Sequence, residues 1–315
     1  VQRYYFVSLA DKKIISKKKM AHKAGFVNII GKPNAGKSTL TNALVGEKIS
    51  IITEKAQTTR HRIMGIISDK DFQVVFSDTP GIIAPHYKMH EGMMQFVDTS
   101  FKDADVIVYV SPGDEDESRD AKFSETFARL EKMEVPVLIV INKIDLLDEK
   151  KLEEKADFWK QKLPKAEIIP VSASEKFNTD YLLKRIKELL PEAPSFFPED
   201  QLTDKSERFI AAEIIREKIL KYYQKEIPYS VDVVIEIFKD EPNIIRISSV
   251  IFVERESQKM ILIGQGGKSI KGMGMAARKD MEKFFGKKVF LEQTVKVKKD
   301  WRNDENYLKT QGYLE

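Results

Sequence analysis

Phe26-Val27-Asn28-Ile29-Ile30-Gly31-Lys32-Pro33-Asn34-Ala35-Gly36-Lys37-Ser38-Thr39-Leu40 is an apolar run that meets a glycine-bounded loop ending in Lys-Ser. It matches G-x-x-x-x-G-K-[ST], with a strand expected before it and a helix after it, the arrangement of a phosphate-binding loop. Gly31 and Gly36 allow backbone angles that a side chain would forbid. The backbone from Asn34 through Ala35, Gly36, Lys37, Ser38 and Thr39 can then turn its N–H groups onto a phosphate chain, and the following helix adds the positive end of its dipole. Lys37 is placed to reach the β- and γ-phosphates, and the Ser38 hydroxyl to ligate Mg²⁺. The loop implies a nucleoside triphosphate without saying which one.

Composition narrows the class. With 315 residues, one to three domains are expected, each able to bury a core. Hydrophobic content of 42% and charged content of 32% describe a globular chain with a charge-rich surface. The net charge is only +4, so the distribution of charge matters more than its sum. The absence of cysteine excludes disulfides and thiolate metal sites, and four scattered histidines argue against zinc. No apolar run approaches the roughly 20 residues that span a bilayer. Residues 1–19 show no clear period and end in lysines before Met20; they are expected to be a poorly ordered extension outside the fold.

Beyond the loop, residues 38–45 read as a helix and 48–62 as a polar loop carrying Thr58 and Thr59. In phosphate-switch proteins a threonine between the first helix and the second strand closes onto Mg²⁺ and the γ-phosphate, and either residue fits that place. Residues 63–67 and 72–76 read as a strand pair running into Asp78-Thr79-Pro80-Gly81. In this D-x-x-G element Asp78 can hold Mg²⁺ through water, and the Gly81 N–H can sense a γ-phosphate. Lys37, Thr58, Thr59 and Gly81 are therefore the candidates for the hydrolytic step. Ile82 follows, where Ras-like switches carry a water-orienting glutamine, so slow intrinsic turnover is expected. Residues 82–88 continue as a switch loop before a helix over 89–101.

The next elements are a strand at 106–110, a helix over 118–133 and an inner strand at 137–141. The last ends in Asn142-Lys143-Ile144-Asp145, an N-K-x-D guanine reader. Asp145 can accept from guanine N1–H and the 2-amino group, Asn142 can brace the purine against the phosphate loop, and the Lys143 stem can cover the base. A site built to bond a substrate N–H rejects its analogue by roughly 10⁴. A helix over 149–162 and a strand at 168–171 lead into Ser172-Ala173-Ser174, whose backbone N–H groups are placed to meet guanine O6, and a helix over 178–190 closes the unit. The order defines an α/β domain over residues 20–190, with a doubly wound, mostly parallel sheet and its ligand loops at the strands' C-terminal ends.

Residues 191–203 hold Pro191, Pro194 and Pro198 and read as a semi-rigid linker whose two phenylalanines dock on a domain. Residues 204–302 read as a smaller α+β domain: a helix over 204–224, strands at 229–238 and 244–253, and a run at 259–263 expected to extend or re-enter the sheet. Gly264-Gln265-Gly266-Gly267-Lys268-Ser269-Ile270-Lys271 follows, then a helix and a strand over 289–297 flanked by lysines. A G-x-x-G turn before a helix with a basic edge is KH-like and clamps about four nucleotides of single strand. Gly264, Gln265, Gly266, Gly267, Lys268 and Lys271 are the candidate RNA contacts. Residues 303–315 are set apart as a C-terminal tail.

Assembled, the chain resembles the Era family of GTPases. The likeness rests on residues 31–39, Gln57-Thr58-Thr59-Arg60-His61-Arg62, 78–81, 142–145 and Ser172-Ala173 in the first half. In the second half it rests on Arg216-Glu217-Lys218-Ile219, 264–267 and Val295-Lys296-Val297-Lys298-Lys299-Asp300-Trp301-Arg302. The resemblance implies a cytoplasmic, monomeric, Mg²⁺-dependent GTP/GDP switch that binds the 3′ end of 16S ribosomal RNA and assists 30S subunit assembly. Weak peripheral membrane association is sometimes ascribed to the family, but no clear amphipathic anchor is seen. In related glutamine-lacking GTPases an asparagine at the position of Asn34 helps hold K⁺ near the phosphates. Two other readings stay open. One is an RNA-binding assembly protein in which GTP is structural and hydrolysis vestigial. The other is a P-loop kinase or ATPase, whose ATP binding would survive the loss of Asp145.

Overall fold

The computed structural model describes residues 22–115 and 121–314. The expectation for residues 1–19 and the first residues of the helix expected over 118–133 lie outside that range.

Six strands form the first sheet: β1 (Lys23–Gly31), β2 (Ile63–Asp69), β3 (Phe72–Asp78), β4 (Val106–Pro112), β5 (Val137–Asn142) and β6 (Glu167–Pro170). Their order is β2-β3-β1-β4-β5-β6, with β2 antiparallel to β3 and every other pair parallel. The inner strands are apolar on both faces because helices cover both. Ile29, Val106, Val108 and Val110 meet α1 (Lys37–Val45) and α5 (Thr179–Leu189) through Leu40, Leu44, Leu182 and Ile186. Their neighbours Ile30, Ile107 and Tyr109 point to the opposite face. There they meet α2 (Lys88–Lys102), α3 (Ala121–Glu131) and α4 (Glu149–Lys162) through Val97, Phe101, Leu130 and Trp159.

The linker lies along this domain. Ala24 N–H donates to Pro191 O at 3.2 Å and Ile66 N–H to Leu202 O at 2.8 Å. The Gln73 amide oxygen accepts from the Phe196 and Phe197 N–H groups at 2.7 and 3.0 Å, and the Phe196 ring sits 5.0 Å from that of Phe26.

The second domain comprises α6 (Glu207–Tyr222), α7 (Ile227–Ser230), β7 (Asp232–Asp240), β8 (Ile244–Val253), α8 (Glu256–Ile263), α9 (Lys268–Phe285) and β9 (Lys288–Val297). Its sheet runs β7-β8-β9, antiparallel and then parallel. Two expectations are corrected. The strand expected from 229 starts at Asp232, because Pro228 sits in the first turn of α7. The run at 259–263 is not a strand but the second half of α8. Only Leu262 of its centre is buried, while Met260 and Ile261 are 66% and 51% exposed. The helix start is fixed by Gln258, whose side-chain oxygen accepts from the Glu254 and Arg255 N–H groups at 3.0 Å each.

Beyond residue 302 the chain is not a loose tail. It forms α10 (Glu305–Thr310) and returns against the first domain. Trp301, Leu308 and Tyr313 bury a cluster with Met89 and Met93 of α2. Asp232 accepts from the hydroxyls of Tyr307 at 2.6 Å and Tyr313 at 2.8 Å, and Tyr313 stacks on His61 with ring centres 4.3 Å apart. No helix among the described residues is long and apolar enough to cross a membrane.

Candidate nucleotide site and nucleic-acid interface

The parallel strands end at a cleft of about 1060 Å³ whose lining includes Asn34, Gly36, Lys37, Ser38, Thr39, Thr58, Thr59, Gly81 and Lys143. Leu220, Lys221 and Gln224 of the second domain also line it. Sequence reasoning missed these three, since nothing local marks a helix end that meets another domain.

The phosphate loop is built for close approach. A β-carbon on Gly36, at φ 93°, would lie 2.1 Å from Asn142 Nδ2. Asn142 explains the crowding: it donates from Nδ2 to Ala35 O at 2.9 Å and accepts at Oδ1 from Ala173 N–H at 3.0 Å. One buried side chain thus ties the phosphate loop to the loop after β6. Lys37 is buried and donates from Nζ to the carbonyls of Gly31 at 3.0 Å and Lys32 at 2.6 Å, so its charge crosses the loop's mouth. Asn34 stands exposed on the loop, with φ 62°.

Behind Lys37 lies a corner of oxygens. Ser38 Oγ and Thr59 Oγ1 are 2.8 Å apart. Asp78 beside them is fully buried, and neither carboxylate oxygen has a hydrogen-bond partner. Burial pushes the Asp78 carboxyl above its ordinary range; the nearby Ser38, Ser50 and Thr59 hydroxyls and the Lys37 charge pull the other way. A buried, unpaired carboxylate is strongly unfavourable on its own. Two hydroxyls and a carboxylate meeting there are donors that fit a hard divalent cation such as Mg²⁺. Among the described residues no cluster of three or more His, Cys, Asp or Glu offers another metal site.

The two threonines separate. Thr59 faces Ser38, whereas Thr58 Oγ1 donates to Lys55 O at 2.5 Å and lies 2.6 Å from Thr53 Oγ1. Of the candidate pair, only Thr59 is turned to the cation corner. Gly81 lies against the phosphate loop, where a β-carbon would come within 2.7 Å of Pro33 N, and the Ile82 N–H donates to Gly31 O at 3.3 Å.

At the base end, Ser172 Oγ donates to Asp145 Oδ1 at 2.5 Å and orients an otherwise exposed carboxylate. Lys143, at φ 62°, pairs with Asp114 at 3.0 Å, a partner the motif does not name. In the second domain Gly264, Gly266 and Gly267 all have positive φ, and Gln265, Lys268 and Lys271 are exposed beside them. Between α9 and β9 a cavity of about 250 Å³ adjoins this turn, lined by Ile270, Lys271, Gly274, Met275, Arg278, Leu291 and Gln293. It too was missed, because it forms only where a helix face meets a strand.

This fold and cleft define a P-loop protein of the GTPase class joined to a KH-type domain. Residues 26–143 match the family model described as 50S ribosome-binding GTPase, and residues 226–302 match the KH domain. GTPase Era of Alkaliphilus metalliredigens is 44% identical over 298 residues, covering 93% of this chain and 100% of the relative. GTPase Era of Staphylococcus epidermidis is 41% identical over 295 residues, covering 93% and 98%. A crystal structure of Era in complex with MgGDPNP and nucleotides 1506–1542 of 16S ribosomal RNA aligns with a TM-score of 0.89 at 39% identity, covering 93% of this chain and 100% of the other. Aquifex aeolicus Era bound to GDP and AlF₄⁻, a single-residue variant, aligns at 0.88 and 39%, with the same coverage. The chain belongs to the Era family of GTPases.

Proposed function

We propose that the chain is a GTP-binding, GTP-hydrolysing switch that binds the 3′ region of 16S ribosomal RNA and assists 30S assembly, acting as a cytoplasmic monomer. The observation that carries this is Asp78, buried with both oxygens unpartnered behind Ser38 and Thr59, which line the same cleft as Lys143 of the Asn142–Asp145 reader. The relatives support it: Era binds MgGDPNP and 16S nucleotides in one crystal, and GDP with AlF₄⁻ in another.

Asn142, Lys143, Asp145, Ser172 and Ala173 hold the base, while the backbone at residues 34–39 wraps the phosphates. Ser38, Thr59 and Asp78 would hold Mg²⁺, which when bound neutralises charge on the β- and γ-phosphate oxygens. Lys37 adds a fixed positive charge where negative charge grows in the transition state. The Gly81 N–H reports the γ-phosphate to the loop that follows. Ile82 offers no group to orient water, so turnover is slow. Asn34, exposed on the loop, is positioned to add an oxygen to a K⁺ ion; turnover in K⁺ should exceed turnover in Na⁺, and equal rates would remove that role.

The G-x-x-G turn and the cavity behind it hold single-stranded RNA. Replacing Lys268 and Lys271 together by alanine should weaken binding of a 16S 3′-end oligonucleotide about tenfold at 0.1 M salt. The slope of log K against log[salt] should shrink by about 1.4, at roughly 0.7 for each phosphate no longer neutralised. Fluorescence anisotropy across a salt series reads both, and an unchanged slope would place RNA elsewhere.

A further inference from the structure

The loop that brings Thr59 to the cation corner is held from the other domain. On α6, Arg216 is almost fully buried and its guanidinium faces two consecutive carbonyls of that loop. Nη1 donates to Gln57 O at 3.4 Å and Nη2 donates to Thr58 O. Glu213, one turn earlier, takes the other edge of the guanidinium at 2.6 Å to each oxygen and fixes its plane. Gln57 is left-handed, with φ 59°, in the turn that presents both carbonyls to Arg216. The next residue along the chain is Thr59, 2.8 Å from Ser38.

Neighbouring residues grip the same loop. Glu217 is fully buried and accepts from Ile52 N–H at 3.3 Å and Lys48 Nζ at 2.8 Å. Lys55 Nζ donates to the Leu220 and Tyr223 carbonyls at the end of α6. On its far side α6 pairs Lys218 with Asp280 of α9, the helix that starts at the glycine turn.

We propose that Arg216 is a positioning residue for GTP hydrolysis: from the second domain it fixes the Gln57–Thr58 carbonyls, and thereby the place of the Thr59 hydroxyl in the cation corner. The inference rests on the reading that Ser38, Thr59 and Asp78 hold Mg²⁺ beside GTP. A planar, always-charged fork holds two carbonyls one residue apart with one edge and the Glu213 carboxylate with the other; a lysine ammonium can reach carbonyls but has no second edge to fix its direction. The first domain therefore carries every group of the cation corner, yet the hydroxyl that comes from a loop takes its position from the RNA-binding half.

The test uses the full chain and four variants: Glu213→Gln/Arg216→Gln, Arg216→Lys, Thr59→Ala, and the first combined with Thr59→Ala. Changing Glu213 and Arg216 together leaves no buried charge unpaired. The paired variant should lower kcat about tenfold and raise the Mg²⁺ concentration for half-maximal turnover about fivefold. KM for GTP and affinity for GDP should stay within about twofold, since the phosphate loop and base reader are untouched. Arg216→Lys should recover part of the loss. Adding the pair to Thr59→Ala should cost nothing further, because both act through one hydroxyl. The proposal is overturned if the pair leaves kcat and the Mg²⁺ requirement unchanged, if its loss adds fully to that of Thr59→Ala, or if GDP affinity falls in step with kcat. A Thr59→Ala protein with full Mg²⁺-dependent turnover would instead overturn the reading of the cation corner, and Arg216's role with it.

Discussion

Replacing Asp145 by asparagine should lower affinity for GTP about a thousandfold and move the preference to xanthosine triphosphate. The Asp145 carboxylate offers two acceptor oxygens to guanine N1–H and the 2-amino group. Ser172 Oγ already holds one of them at 2.5 Å, so the group is oriented before the base arrives. Each charge-assisted bond contributes about 1.5–3 kcal/mol. Losing the charge and one acceptor removes about 4 kcal/mol, close to a thousandfold. Asparagine puts an amide N–H against the guanine 2-amino group, donor against donor. Xanthine carries an oxygen at that place and accepts from it. Competition titration with the two triphosphates reads the switch. GTP affinity retained in Asp145→Asn would show that the base lies elsewhere, and ATP binding that survives Asp145→Ala would favour an ATPase.

The second large effect concerns Asp78. Asp78→Asn should cut Mg²⁺-dependent turnover about a hundredfold, as expected when a group that fixes the metal is lost. The same change should raise the thermal midpoint of the nucleotide-free, Mg²⁺-free protein. Burial holds the Asp78 carboxyl above its unfolded value. Such a group favours the fold at low pH and loses that contribution as pH rises through the folded value, so at neutral pH the charged form works against folding. Asparagine removes that charge. With GTP present, adding Mg²⁺ should then stabilise the wild type strongly and the variant hardly beyond what GTP alone does. Scanning calorimetry in EDTA and in Mg²⁺ separates the two terms. A lower midpoint for the variant in EDTA would mean that Asp78 is paired in a way the geometry does not show.

How much was legible follows from where each signal lives. The phosphate loop, D-x-x-G and N-K-x-D are contiguous, and each needs its residue types at fixed spacing within one turn, so they read directly from the chain. The inner strands read just as directly, because burial on both faces leaves β4 apolar from Val106 to Val110. Thr58 and Thr59 could not be told apart. Their difference depends on the backbone at Gln57 and on a guanidinium more than 150 residues away. The second half of α8 is not legible as helix because a five-residue run, Lys259 to Ile263, is too short to show a helical period, and the N-cap is Arg255, backed by the buried Gln258 three residues on, rather than serine or aspartate. The segment after residue 302 carried no marker, since its order comes from Trp301, Leu308 and Tyr313 meeting methionines of α2. The wall that Leu220, Lys221 and Gln224 add to the nucleotide cleft has the same origin. Apart from α8 and the cavity between α9 and β9, which form within the second domain, what is not legible in the sequence depends on contacts between the two domains.

Those contacts are also what would couple nucleotide state to RNA contact in one molecule. Coupling is reciprocal: if GTP raises RNA affinity by some factor, RNA raises GTP affinity by the same factor. The most direct measurement is the affinity of the full chain for a 16S 3′-end oligonucleotide, once loaded with a non-hydrolysable GTP analogue and Mg²⁺ and once with GDP and Mg²⁺. Binding at least about fivefold tighter in the GTP-like state is predicted, about 1 kcal/mol of coupling. Equal affinities in the two states would contradict the switch and leave GTP a structural ligand of an RNA-binding protein.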